Sequence, residues 1–244
     1  LLALARTYFR LGLADLAVGW YARVIEGDGD NEVARIGHIA CLEELGDTRA
    51  LSRAYAEYLE RWPDNVPIRN DYYRHLERGE NWEAAADQAE ILLGQGSSGV
   101  PERQIALYRR KAGQFRKAAI LYRKILRQKP DDRSMLYGLV YCLDRMGDAS
   151  VAAALMREAN RAYKPDAESL LIESRLRARS GDADAALATL RVVVDKFPRD
   201  PRGWKEMAAT YRKRGVAAMA AQYEEKARDA ELALTRKRRP KSGT

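Results

Sequence analysis

Two histidines, two cysteines and a few neighbouring carboxylates are the first places to look for catalysis or metal binding in this 244-residue chain. His38 and His75 lie far apart in the sequence, about one repeat from each other. There is no HExxH, CxxC, phosphate loop or GxSxG motif. The pairs Asp131–Asp132 and Glu43–Glu44 are adjacent residues whose carboxylates do not converge, so the first reads as a helix cap and the second as a solvated helix face. No Cys and His fall at metal-ligand spacing. Cys41 and Cys142 each sit in an apolar helical stretch, where a free thiol packs as a small hydrophobe, and two cysteines make no disulfide framework. The expectation is a protein without a catalytic site, metal or cofactor, with both thiols free.

What the chain has in abundance is charge. Its formal net charge is +8, but residues 1–98 hold 10 Arg, no Lys and 17 acids, a net of −7, while residues 99–244 carry a net of +15. Hydrophobic residues make up 46% of the chain and charged residues 32%, the balance of a folded protein with a real core. No apolar run reaches the ~20 residues that a bilayer demands.

The elements that must position these charges follow from a repeat. Gly12, Gly46, Gly79, Gly113, Gly147, Gly181 and Gly215 recur at gaps of 33 or 34 residues. Five residues after each stand Ala17, Leu51, Ala84, Ala118, Ala152, Ala186 and Ala220. Pro63, Pro130, Pro165 and Pro198 form a third column. Each mark has a physical role. The glycine takes the left-handed conformation that ends a first helix. The small residue allows close helix approach, and the proline ends the second helix. Asp47, Asp148 and Asp182 are expected to cap second helices, and Asp64, Asp131, Asp166 and Asp200 the next first helices. Apolar residues fall at helical spacing between the marks, and no stretch alternates like a strand.

With this lattice the chain resembles the tetratricopeptide repeat family, whose 34-residue unit is a pair of antiparallel helices. Trp204, Tyr211, Ala220 and Ala227 take the preferred residue types of one repeat, and Tyr21, Tyr55 and Tyr122 recur at one aromatic position. The resemblance implies an all-α fold, an α-solenoid of stacked antiparallel helix pairs wound as a right-handed superhelix. Repeats are expected at about 1–31, 32–64, 65–98, 99–132, 133–166, 167–200 and 201–234, followed by a basic tail over 235–244. The usual Leu-Gly pair of the first helix is mostly missing. The glycine-rich stretch Gly94–Gly99 lies where the charge changes sign and is expected to be the softest internal point.

The resemblance also places first helices along a concave groove. Its groove positions are filled by Arg103, Arg110, Lys111, Arg145, Arg175, Arg179, Arg202, Lys205, Arg212 and Lys213, with Tyr137 and Tyr141 among them and Tyr73 at the same place in the third repeat. Asp144 is the acidic exception, and the earlier repeats place Glu43, Glu44 and Glu77 there. Asn70 alone fits the pattern of a carboxylate clamp, so that clamp is not assigned. The function implied is a protein-interaction scaffold or adaptor that takes a protein or peptide segment in its groove, with an acidic segment favoured by the basic positions. Two alternatives stand beside it: the repeat segment of a bacterial envelope polysaccharide or pilus export machine, and nucleic-acid binding through the basic C-terminal half. The absence of aromatics from the tail and of any base-reading pattern disfavours nucleic acid. The excess of 32 Arg over 11 Lys suits a bacterial gene rich in G and C. The compartment, cytoplasm or periplasm, and the oligomeric state are left open.

Overall fold

The computed structural model describes residues 1–97 and 99–238. Fourteen helices run through these residues, and no strand occurs among them. They are α1 (Leu2–Arg10), α2 (Ala14–Gly27), α3 (Glu32–Leu45), α4 (Thr48–Arg61), α5 (Val66–Arg78), α6 (Trp82–Gly94), α7 (Glu102–Lys111), α8 (Phe115–Gln128), α9 (Arg133–Arg145), α10 (Ala149–Ala162), α11 (Ala167–Arg179), α12 (Ala183–Lys196), α13 (Pro201–Lys213) and α14 (Ala217–Arg238). The fold is an all-α solenoid of helix pairs. Two compact units divide it, Leu1–Leu121 and Tyr122–Thr244, and the boundary falls inside α8. Of the basic tail, the backbone is helical as far as Arg238, and residues 239–244 lie outside the described residues, as does Ser98 of the glycine-rich stretch.

Each unit is held by apolar side chains spaced one helical turn apart. In the first, Ala5, Ala17, Tyr21 and Cys41 are buried around α1–α3, and Tyr55, Tyr58 and Leu51 around α4. Leu76, Ala85, Ala89, Leu92 and Tyr108 then join α5 to α7. In the second, Leu171, Leu190, Val193 and Met207 pack α11–α13 together. Successive helices contact one another from α1 to α7 and from α9 to α14, so stability rests on neighbour interfaces rather than one central core.

The repeat lattice holds with one displacement. Gly12, Gly46, Gly113, Gly147, Gly181 and Gly215 all have positive φ, but Gly79 has φ −81° and the left-handed residue is Glu80, at φ 55°. A side chain there is uncommon. The spacing allows either residue, since Glu80 lies 34 residues after Gly46 and Gly79 lies 34 before Gly113. The small-residue column shifts with it: Ala85 is fully buried and Ala84 only partly. The sequence reading of the third repeat is therefore corrected by one residue.

Caps follow the same local chemistry with three corrections. Asp47 and Asp182 accept from Ala50 N (3.0 Å) and Ala185 N (3.1 Å) as expected, whereas Asp148 makes no side-chain cap bond. Ahead of first helices, Asn65 rather than Asp64 accepts from Ile68 N, and Asp132 rather than Asp131 accepts from Met135 N. In each case the acceptor is the residue directly before the helix, the only place from which its oxygen reaches the third amide. Asp166 and Ser169 form a reciprocal capping box.

Neither Cys41 nor Cys142 is in a disulfide, and both are fully buried. Burial pushes the Cys41 thiol up to about 11, and the thiolate is the reactive form. Neither thiol is expected to react with a disulfide reagent at pH 8 until the chain is unfolded, when two equivalents should be consumed. Fast reaction of one thiol in the native protein would contradict this burial.

Candidate protein-interaction face

The first helices carry the candidate residues, and what those side chains touch decides what they can do. In the second unit they are tied into a ladder of ion pairs between neighbouring first helices. Asp144 on α9 takes Arg179 of α11 at 2.7 Å, and the Asp144 side chain keeps only 9% of its surface in water. Glu168 on α11 pairs with Arg202 of α13, which also holds Asp200 at 2.8 Å. Arg175 Nε donates to Glu206 Oε1 at 2.6 Å. Arg133, before this series, pairs with Asp166. Each rung joins residues about one repeat apart, so the period that builds the fold also brings opposite charges together.

Lys205 and Arg212 turn to the paired second helix, meeting Glu231 (2.5 Å) and Glu224 of α14. Lys213 is exposed. Tyr141 stands 42% exposed one turn before the exposed Arg145. Tyr137 is half-buried, and its hydroxyl is enclosed without a hydrogen-bond partner among the described residues. Arg175, Arg179, Arg202, Lys205 and Arg212 thus carry counter-charges, which exposed pairs of this kind hold by about 1 kcal/mol or less each.

In the first unit Arg103 is exposed and Arg110 half-buried. The Lys111 ammonium lies 3.5 Å from the centroid of the Trp82 ring on α6. Tyr73 is not on the exposed face. It is buried, with its hydroxyl 3.0 Å from that of Tyr108, which also donates to Glu77 and accepts from Gln104 Nε2 at 2.7 Å. Burial, with the Glu77 hydrogen bond, holds the Tyr108 phenol protonated far above its usual range. The one-residue displacement at Glu80 moves Tyr73 from a groove position to a core position.

His75 Nε2 lies 2.8 Å from Ser52 Oγ, and Ser52 Oγ donates to Thr48 O at 2.9 Å. With its one proton used on that carbonyl, the serine accepts from the imidazole, the reverse of nucleophile activation. Burial lowers the pKa of both His38 and His75 below the ordinary imidazole value, which favours their neutral form.

Three buried arginines escaped the sequence reading. Arg35 Nε reaches Gly29 O (2.7 Å), and Arg69 reaches Pro63 O (2.5 Å), each six residues upstream. Trp204 Nε1 makes the same bond to Pro198 O at 2.8 Å. Arginine here does the work of the indole: an apolar stem in the core and one N–H on the preceding turn. Arg109 is 2% exposed and grips Glu90 (3.0 and 2.7 Å), Asp87 (2.7 Å) and Gln114 (2.7 Å). The signal available for Arg35 was the repeat position it shares with Trp204, and Arg69 takes that position only once its repeat is counted from Glu80.

A family model for the tetratricopeptide repeat matches residues 103–167 and 143–201. Residues 103–201 are tetratricopeptide repeats. The helix pairs on either side of this stretch keep the same period of 33 or 34 residues. Among solved structures, MamA (41-end) from Desulfovibrio magneticus RS-1 is similar at a TM-score of 0.55 and 14% identity, covering 69% of this chain and 96% of that one. The structure of Naa15/Naa10 bound to HypK-THB gives a TM-score of 0.57 at 14% identity, covering 97% of this chain and 36% of that one. At such identities the likeness is one of tetratricopeptide fold. No curated protein matches the sequence.

Proposed function

We propose that this chain is a protein-interaction scaffold that holds a partner segment against the first helices of its second unit. The repeat family and the solenoid fold support the scaffold reading. The observation that carries the finer reading is Tyr141, an exposed phenol on α9 beside Arg145 and the Asp144–Arg179 pair. A tyrosine supplies large contact area at little rotamer cost, and arginine grips a carboxylate through two parallel N–H bonds. The partner segment is accordingly one that places an apolar side chain on Tyr141 and a carboxylate at Arg145. Lys213 extends the same preference for acid. The ladder acids Asp144, Glu168 and Glu206 make the face selective, because an acidic segment must fit between them or displace them from their cations.

Tyr141→Ala and Arg145→Glu test this. The experiment captures the natural partner from the cell of origin with the wild-type chain, identifies it, and measures its affinity for each variant. Each variant is expected to weaken binding by about tenfold or more, with salt dependence falling in Arg145→Glu and helix content unchanged. A partner that binds both variants as tightly as the wild type places the site elsewhere.

A further inference from the structure

Between Arg103 and Pro130 the chain holds ten Lys and Arg residues and no Asp or Glu. Arg109 turns inward to the α6 carboxylates, and Lys111 lies over Trp82. Much of the remaining charge collects on α8. At about 100° per residue, Arg116, Lys117, Ile120, Arg123, Lys124 and Arg127 fall within an arc of about 120°, with Ile120 at its centre. The opposite side of the helix carries Ala118 and Tyr122, both buried. All six residues on the arc are exposed, Ile120 by 65%. Among the described residues, no ion pair joins Arg116, Lys117, Arg123 or Arg127 to an acid. This contrasts with α11 and α13, where cations meet acids of the neighbouring helices. Like charges one turn apart repel, and the aliphatic side chain of Ile120 between them stands largely in water.

We infer that the outer face of α8 docks the protein on an anionic membrane surface. Arg116, Lys117, Arg123 and Arg127 lie against lipid phosphates and carboxylates, and Ile120 enters the boundary between headgroups and acyl chains. Each Lys or Arg near such a surface contributes through the negative potential of the leaflet, and an aliphatic side chain amid cations gains only where apolar material lies directly behind the charge. A nucleic acid offers phosphates but nothing apolar opposite Ile120, and the arc has no aromatic ring for base stacking. The α8 face engages only the surface of the membrane, and no described helix is long and apolar enough to cross one. Because α8 is a second helix, this face is separate from the first-helix residues of the proposed partner site.

The test is co-sedimentation of the full chain with phosphatidylcholine vesicles, with and without phosphatidylserine. Binding is expected only with the anionic lipid and is expected to fall with salt. Combining Arg116→Glu, Arg123→Glu and Arg127→Glu should weaken it about a hundredfold or more, from roughly fivefold per cation. Ile120→Ser should weaken it about threefold or more. The double reversal Arg49→Glu with Arg53→Glu on α4, where both residues are also exposed, controls for net charge and should have a far smaller effect. Equal binding to both vesicle types, an unaffected α8 triple variant, or an equal loss in the α4 control overturns the proposal. So does a chain that binds a DNA duplex through α8 but not the anionic vesicles, which would make the face a nucleic-acid surface.

Discussion

Replacing Arg109 with methionine is expected to destabilise the first unit by about 2–3 kcal/mol. Removing one partner of a fully buried ion pair costs about 3–5 kcal/mol. Here the guanidinium is buried to 2% exposure, while Asp87 and Glu90 keep 52% and 45% of their side chains in water. The orphaned acids can therefore be rehydrated, which holds the cost below the buried limit. What is lost is the fork that binds two helices: its nitrogens hold Glu90, Asp87 and Gln114 at once. Gln114 in turn donates to Glu83 at 2.6 Å. Lysine at this position keeps the charge but not the planar array of donors, so Arg109→Lys should recover less than half of the loss. Hydrogen exchange along α6 and α7, read beside denaturant unfolding, assigns the effect to this interface. If Arg109→Met unfolds within about 0.5 kcal/mol of the wild type, the clamp contributes nothing beyond packing.

The period was legible in the sequence because each helix pair needs one residue in the left-handed conformation, and glycine adopts it most cheaply. It misled at Gly79 for the same reason. There the structure puts Glu80 in that conformation, one residue beyond the glycine, and a glycine column cannot see a glutamate. That single displacement hid two things: Tyr73 as a core residue bonded to Tyr108, and Arg69 as the equivalent of Trp204. The candidate face was legible as a list of residue types but not as a charge. Arg175, Arg179 and Arg202 read as a basic wall until Glu206, Asp144 and Glu168 are seen to meet them from neighbouring repeats. Long side chains span several ångströms, and repeat position alone does not say which acid each will reach. The α8 stripe was visible in the sequence as a run without acids, yet a groove-centred reading passes over second helices.

Glycines inside helices make opposite predictions at different places, and the structure sets the sign. Gly138 of α9 faces the ring of Tyr122: a Cβ built there would lie 2.5 Å from Cζ and 2.6 Å from Cε1. Gly37 of α3 faces Tyr21 in the same way, at 2.3 and 2.4 Å. Both rings are buried, Tyr122 at 2% and Tyr21 at 3% exposure, so neither can swing into water to make room. Alanine gains up to about 1 kcal/mol over glycine from helix propensity. Forcing a methyl into a packed ring costs about 1–3 kcal/mol, and more where the overlap exceeds an ångström. The second effect wins, and Gly138→Ala and Gly37→Ala should each destabilise their own unit by about 1–2 kcal/mol net. Gly19 supplies the control, because it lies within α2 with nothing inside 4 Å of its Cβ position. Gly19→Ala should stabilise by about 0.5–1 kcal/mol. The cause is checked by a double-mutant cycle in which Gly138→Ala is made again in a Tyr122→Leu background. With the ring gone the alanine has room, and its cost should shrink or reverse, a coupling of at least about 1 kcal/mol. A Gly138→Ala penalty of the same size in both backgrounds would mean that the helix backbone, and not the tyrosine, excludes the methyl group.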